Sequence, residues 1–314
     1  TDITNASRTL MFNIVEQKWD VELLNILGIP GQMLPEVCDN AHDFGRAQRG
    51  FLGEEAPITG MAGDQQAALF GQACFKPGMA KITYGTGCFA LMNIGPEFKP
   101  SKNKMLTTVA IRLDGKINYA IEGAIFVAGA AIQWLRDGLG IIKSSQETEK
   151  IAQSVPDNGG VYMVPAFTGL GAPYWNPRAR ASISGLTRAA TSAHIVRAAL
   201  EAQAYQTADL MQAMAEDAGY PIGEVRVDGG MVKNSWVCQF IADMTATPVL
   251  RPTCIETTAL GAAYLAGLKA GVFKSTDDIA AAWQAEQRFS PKMPSAEREA
   301  LLEGWQHAVK QVLA

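Results

Sequence analysis

Histidine is scarce, with three in 314 residues, so an imidazole metal centre or a Ser/His/Asp relay has little to be built from. Cysteine is hardly richer. The five thiols at 38, 74, 88, 238 and 254 are odd in number and scattered, with no Cys-x-x-Cys pair. That excludes a disulfide scaffold and reads as reduced thiols in a cytoplasmic protein. Dense basic clusters are missing, and a net charge of −4 argues against a nucleic-acid footprint. No run approaches the roughly 18–20 apolar residues of a membrane span. The best candidate, residues 123–135, is too short and carries Gln133. The opening TDITNASRTL lacks the basic-then-apolar layout of a signal peptide. It also lacks an initiator Met, and residues 12–27 already read as packed structure, so the expectation is the later part of something longer.

What is present describes an ordinary core-forming protein, 48% apolar and 18% charged. The length suggests two domains, or one large one with part of a second, and the Lys76-Pro77-Gly78 turn marks the expected boundary, giving residues 1–75 and 76–314. Before it, Asp20–Leu27 reads as a short helix stopped by Gly28 and Pro30, and residues 50–56 as loop. After it, Ala80–Tyr84 and Cys88–Met92 flank Gly85-Thr86-Gly87, a hairpin pattern, and Asp114-Gly115 joins Thr107–Arg112 to Lys116–Ile121. A helix is expected from about Ile125 to Leu139, carrying Gly129 and Gln133 on one face. A strand is expected at Ala181–Leu186, and the longest helix at Ala193–Ala218, capped by Ser192 and ended by Gly219. Further helices are expected from Asn234, at Thr258–Ala270 and at Ala296–Val312.

The chain is organised around GMAGDQQAALFG, residues 60–71. Glycines at 60 and 63 permit a sharp turn, after which Asp64 opens a helix buried behind it by Ala67, Ala68, Leu69 and Phe70. Asp64 reads either as a simple N-cap or as a carboxylate held rigidly enough to take a proton from a hydroxyl, with Gln65 beside it. Gly85-Thr86-Gly87 is either a tight turn or a small-residue loop offering N–H groups and a hydroxyl to a phosphate. Strand–Asp228-Gly229-Gly230–helix is the clearest nucleotide candidate, with bare backbone for close approach, a helix N-terminus and Asn234 one turn on. A plain βα turn explains a bare Asp-Gly-Gly equally well.

Together these features resemble the sugar-kinase family built on the actin-like ATPase (ribonuclease H-like) α/β fold, and within it the members that phosphorylate glycerol. The resemblance is carried by GDQQAALFGQ (63–72), YGTGCFALMN (84–93), VPAFTGLGAPYW (164–175), SGLTRA with HIVRAALEAQAYQT (184–207) and VDGGMVKN (227–234), and covers essentially the whole chain. It implies the tail of a first, substrate-binding and catalytic domain (1–75) and a complete second, nucleotide-binding domain (76–314). It implies ATP-dependent phosphorylation of glycerol to sn-glycerol 3-phosphate, with Mg²⁺, in a homo-oligomer, dimer or tetramer, when intact. Asp64 matches the catalytic carboxylate, Gln65 its glycerol-contacting neighbour and Phe89 the aromatic against the polyol's carbon face. Thr86, Gly129, Gln133, Gly230 and Asn234 match nucleotide-binding positions, and no metal ligand is carried over.

The resemblance also implies an active site between domains, so this chain alone is expected to bind ADP weakly and to transfer phosphate poorly. Without the missing half, an apolar interface is expected to be exposed, inviting disorder in residues 1–75 or aggregation. Departures exist. Gly53-Glu54-Glu55 stands where regulated bacterial members have Gly-x-Arg, and a carboxylate there repels fructose 1,6-bisphosphate, so that regulation is expected to be absent. Residues 290–298 differ from the loop some members offer to a regulatory phosphotransferase protein. The competing readings are a pentulose or gluconate kinase of the same fold, and an ATP-binding module without transferase activity.

Overall fold

The computed structural model describes all 314 residues, the side chains of Phe51 and Leu52 excepted. Among its larger elements, helices α1 (Val21–Leu27) and α2 (Asp64–Gly71) come first. Four strands follow, β1 (Met79–Tyr84), β2 (Cys88–Gly95), β3 (Leu106–Leu113) and β4 (Lys116–Ile125). Helices α3 (Gly129–Asp137) and α4 (Thr148–Gln153) lead to short strands β5 (Tyr162–Val164) and β6 (Ser182–Ser184). Then come α5 (Ser192–Ala218), β7 (Glu224–Asp228), α6 (Ser235–Thr245), β8 (Val249–Pro252) and α7 (Thr257–Lys269). Last are α8 (Thr276–Ala282), β9 (Ala285–Phe289) and α9 (Ser295–Leu313).

Seven strands form one sheet in the order β9-β8-β7-β1-β2-β4-β3. Strand β7 is parallel to both β1 and β8, and the other pairs are antiparallel. The antiparallel half is built from hairpins. Asp114 and Gly115 both take positive φ, 49° and 73°, the geometry of the two-residue turn their sequence favours.

Local chemistry moved several expected boundaries. Residues 50–56 are not all loop: Arg49–Leu52 make one helical turn closed by Gly53 at φ 80°, and Ala56–Pro57 pair with Arg46–Ala47. The helix expected from Ile125 starts at Gly129, because Ile125 is still paired with Cys88 in the sheet. Thr191, not Ser192, caps α5, sharing a capping box with His194. The strand at 181–186 shrinks to Ser182–Ser184 and pairs with β5 outside the large sheet.

Residue alternation divides the sheet's two faces. Ile82 and Tyr84 of β1, Ala90 and Met92 of β2 and Ile121 of β4 join Leu210 and Met214 of α5 in the main core. The Tyr84 hydroxyl lies 2.7 Å from Thr207 of α5. Helix α9 completes this layer by stacking Trp305 on Tyr205, ring centroids 5.5 Å apart. Beneath them Asp209 is mostly buried, accepting hydrogen bonds of 2.7 Å from Tyr174, Trp305 and Gln306.

The opposite face receives α2, whose Leu69 packs with Cys74, Leu91, Ala110 and Ala120. Helix α7 crosses α2 with backbones in contact. A Cβ added to Gly261 would lie 1.8 Å from the carbonyl oxygen of Ala67, and one on Gly71 2.0 Å from that of Thr257. Only hydrogen fits at either position. Buried Asp228 fastens this crossing to the sheet, accepting from Gln72 of the loop after α2 (2.8 Å) and Thr257 of α7 (2.6 Å).

Two outcomes follow from this packing. Gly261→Ala should force the two helices apart and lower stability by about 3 kcal/mol or more in urea unfolding; a loss below about 1 kcal/mol contradicts the crossing. Asp209 concerns pH. Burial pushes its carboxyl up from 3.8 to about 6 despite the three donors. A carboxyl that binds its proton more tightly folded than unfolded favours the fold most at low pH, and that contribution is lost as pH rises from about 4 through about 6. The stability difference between the protein and Asp209→Asn should therefore shrink by roughly 2–3 kcal/mol over that range, and a constant difference would refute it.

Candidate functional site

The turn between β1 and β2 and the start of α3 close against each other to make one wall of a cleft. The Gly129 N–H donates to the Gly85 carbonyl at 2.9 Å and the Ala130 N–H to that of Thr86 at 3.1 Å. A Cβ on Gly129 would stand 2.6 Å from the Gly85 oxygen, so glycine is required for this docking whatever else the position does. Across the cleft, Gly230 follows the Asp228-Gly229 turn, and a Cβ there would meet nothing within 4 Å. Its missing side chain leaves open space. Asn234 is the N-cap of α6: its Oδ1 accepts from the Val237 N–H at 3.0 Å, while its Nδ2 lies 3.4 Å from Thr148 Oγ1.

Thr86, Gly129, Gln133, Gly230 and Asn234, five positions spread over 149 residues of sequence, all line this one cavity of about 630 Å³. Arg136, Gln146, Thr148, Glu149 and Lys233 line it too and were not singled out from the sequence. A signal for part of this wall existed, since Ser144-x-x-Glu147 is a capping-box pattern and forms one in the structure. The cleft is lined by glycine backbone at 85, 129 and 230, two cationic side chains, Arg136 and Lys233, one carboxylate, Glu149, and the apolar Ile132 and Leu200. That lining suits a ligand with a flat ring at one end and phosphates at the other.

Asp64, Gln65 and Phe89 are not among the cleft's lining residues. They gather on the α2-facing side of β1 and β2. Gly63 is the N-cap of α2 and Asp64 its first residue, making no cap hydrogen bond, so the simple N-cap reading does not hold. Instead Asp64 is exposed and takes two donors from its neighbour: the Gln65 N–H at 2.8 Å and Gln65 Nε2 at 3.1 Å. Phe89, on β2, is 39% exposed, unusual for a phenylalanine in a central strand.

Three charged groups of this cluster escaped the sequence reading. Lys81 of β1 is fully buried and donates to Gln65 Oε1 and Thr83 Oγ1. Burial lowers its pKa, against the attraction of Asp228, Glu122 and Asp64. Glu122 of β4 is raised by burial and pairs with Arg8 at 3.5 Å. No pattern in the sequence marks Lys81; its position in a strand is ordinary.

Among the described residues no group of three or more His, Cys, Asp or Glu could hold a metal ion. A protein-built metal cage therefore does not fit here, whereas a cation held largely by a ligand's phosphates needs only one or two carboxylates. No helix of the described residues is long and apolar enough to cross a membrane.

Comparison with known proteins bears on the same residues. Residues 80–270 match the C-terminal domain of the FGGY family of carbohydrate kinases, and residues 1–71 match its N-terminal domain. The chain is 56% identical over 311 residues to the glycerol kinase of Rhodospirillum centenum, covering 99% of this chain and 62% of the relative. It is 58% identical over 312 residues to that of Rhodospirillum rubrum, covering 99% of this chain and 63% of the relative. The chain thus spans less than two thirds of the length of these curated relatives. Among solved structures, Plasmodium falciparum glycerol kinase with ADP superposes with a TM-score of 0.94 at 38% identity, over 100% of this chain and 63% of that one. A ligand-bound xylulose kinase from Lactobacillus acidophilus shares the fold, with a TM-score of 0.90 at 23% identity over 100% of this chain and 64% of that one.

Proposed function

Because the chain belongs to the FGGY family of carbohydrate kinases, we propose that the protein carrying it phosphorylates glycerol to sn-glycerol 3-phosphate with ATP. The observation that carries this reading is the gathering of Thr86, Gly129, Gln133, Gly230 and Asn234 around one cleft. One wall is the turn that ends strand β1, and the same strand holds the Asp64–Gln65 pair through Lys81. The relatives named glycerol kinase support the choice of polyol.

In the proposed reaction the nucleotide lies in the cleft, its phosphates toward the Gly85-Thr86-Gly87 turn. Asp64, exposed, accepts the proton of a glycerol hydroxyl as that oxygen bonds to the γ-phosphorus. The bond from the γ-phosphorus to the bridging oxygen breaks, and ADP leaves with that oxygen's electron pair. Gln65 Nε2 donates to the carboxylate and to the polyol, and Phe89 lies against the carbon backbone. Mg²⁺, carried by the phosphates, would neutralise charge on them.

The domain division is proposed at the Lys76-Pro77-Gly78 turn, supported by family matches ending at 71 and resuming at 80. Association into dimers or tetramers is supported by exposed apolar residues among 10–33, including Val21, Ile26 and Met33. A cytoplasmic location is supported by five cysteines without a disulfide. Exposed Glu54 and Glu55 support the absence of a bisphosphate effector site.

Asp64→Asn keeps the shape and removes the base. In the intact enzyme it should lower kcat by about 10²-fold or more, the scale of general-base catalysis, and leave ADP affinity within twofold. A variant turning over at the native rate would remove Asp64 from the role. A screen of polyols, pentuloses and gluconate with the unmodified enzyme tests the substrate, and a pentulose preferred over glycerol would overturn it.

A further inference from the structure

A lysine buried in a central strand with no ion-pair partner at salt-bridge distance is costly unless its ammonium is put to use. Lys81 is such a residue. It has 0% exposure and forms no salt bridge among the described residues. Its three donors go instead to three elements: Gln65 Oε1 at the start of α2, Thr83 Oγ1 of its own strand at 3.0 Å, and the Phe89 carbonyl of β2 at 3.5 Å.

We infer that Lys81 is a positioning residue for the polyol site, setting the orientation of the Gln65 amide and through it the carboxylate of Asp64. The inference rests on the proposed glycerol site and goes one layer behind it.

The argument is one of donor count. An ammonium offers only donors, so the amide must turn its oxygen to Lys81. The other end of the same planar group, Nε2, then has one direction left, and it meets Asp64 Oδ2 at 3.1 Å. With the Gln65 N–H on Oδ1 at 2.8 Å, both carboxylate oxygens are held from one side. Their free lone pairs face outward, where a hydroxyl would approach. Were the amide reversed, its oxygen would face a carboxylate and its NH₂ an ammonium, two repulsions in place of two bonds.

Lys81 also touches the strand that carries the phenyl ring. Thr83 and Phe89 are directly opposite in the β1–β2 ladder, and Lys81 is opposite Leu91, so the ammonium shares the face from which Phe89 projects. Four residues on, just past the end of β1, Gly85 lines the nucleotide cleft. The same residue thus braces the carboxylate, the amide and the aromatic platform from behind, without facing the nucleotide.

The test separates the two ligands in the intact enzyme. Lys81→Met preserves length and apolar packing and removes every donor. It should raise KM for glycerol at least tenfold and leave KM for ATP within twofold. Placed in a Gln65→Ala background, where there is no amide to orient, the same change should add less than twofold. Equal rises in both KM values, or effects of Lys81→Met and Gln65→Ala that multiply in full, would overturn the inference. If Lys81→Met does not fold, Gln65→Glu gives the reading. Lys81 keeps one of its oxygens, the other replaces Nε2 against Asp64, and the acid limb of the pH–rate profile should move up by roughly one unit or more. An unmoved limb means that Nε2 does not face Asp64, and the inference fails. Should the unmodified enzyme prefer a pentulose, the same KM comparison made with that sugar still decides the role of Lys81, separately from the choice of substrate.

Discussion

The contact on which the rest depends is the crossing of α2 over α7, where the Cβ of any residue but glycine would enter a carbonyl oxygen. Two helices this close cannot slide without breaking backbone contacts along both, so α2 has a fixed axial position. That position places Asp64, its first residue, at the rim of the sheet. Asp228 extends the constraint, because its buried carboxylate holds the end of α2 and the start of α7 to β7 with short hydrogen bonds. A carboxylate that is to act as a base must be held to a fraction of an ångström; here helix backbone and a buried acid fix the helix end, and the Gln65 N–H and amide hold the two oxygens of Asp64.

The seven-stranded sheet then does two jobs with its two faces. The face toward α5 is apolar and ends in the aromatic stack of Tyr205 on Trp305, which gives the sheet its stability. The face toward α2 carries Lys81, Thr83, Phe89 and Glu122 and is polar where a soluble protein's central strands are usually not. Strand β1 connects both to the cleft, since its alternate residues face opposite layers and its last turn reaches the Gly85–Gly87 corner. In the proposed reaction the transferred phosphoryl group crosses from the corner at the end of β1 to the polar face along its length. Placing both ligands on one strand is a direct way to hold them in line.

Much of this was legible in the chain. Asp114-Gly115 specifies a hairpin because both residues tolerate positive φ, and the structure has it there. The stripe Ile195, Ala199, Ala202 and Tyr205 marks α5 by its spacing, and Gly219 ends it in the left-handed region. The five cleft residues could be named from glycine turns at strand tips and from the family's motifs. Boundaries were less legible where tertiary pairing overruled local propensity. Ile125 to Ala128 has apolar spacing suited to a helix, yet Ile125 stays in the sheet because Cys88 offers it a partner. Lys81 could not be found at all, since an alternating strand position says which face a side chain takes and nothing about which groups wait on it.

The sequence by itself determined the kinds of elements, their order, the glycines that turn the chain, and which residue types could take a proton or cradle a phosphate. These are local properties, set by φ/ψ preference, periodicity and side-chain chemistry within a few residues. Tertiary structure alone decided which of those residues meet. Residues 81, 89 and 122 become neighbours through the pairing of β1, β2 and β4, and residue 64 joins them because α2, locked to α7 at Gly71 and Gly261, packs on that face of the sheet. Residues 86, 129, 148, 230 and 234 share a cleft because the β1–β2 turn and α3 close on one side and α4 and α6 on the other. The reason is physical: packing couples positions through space, and the distance between them along the chain carries no record of it.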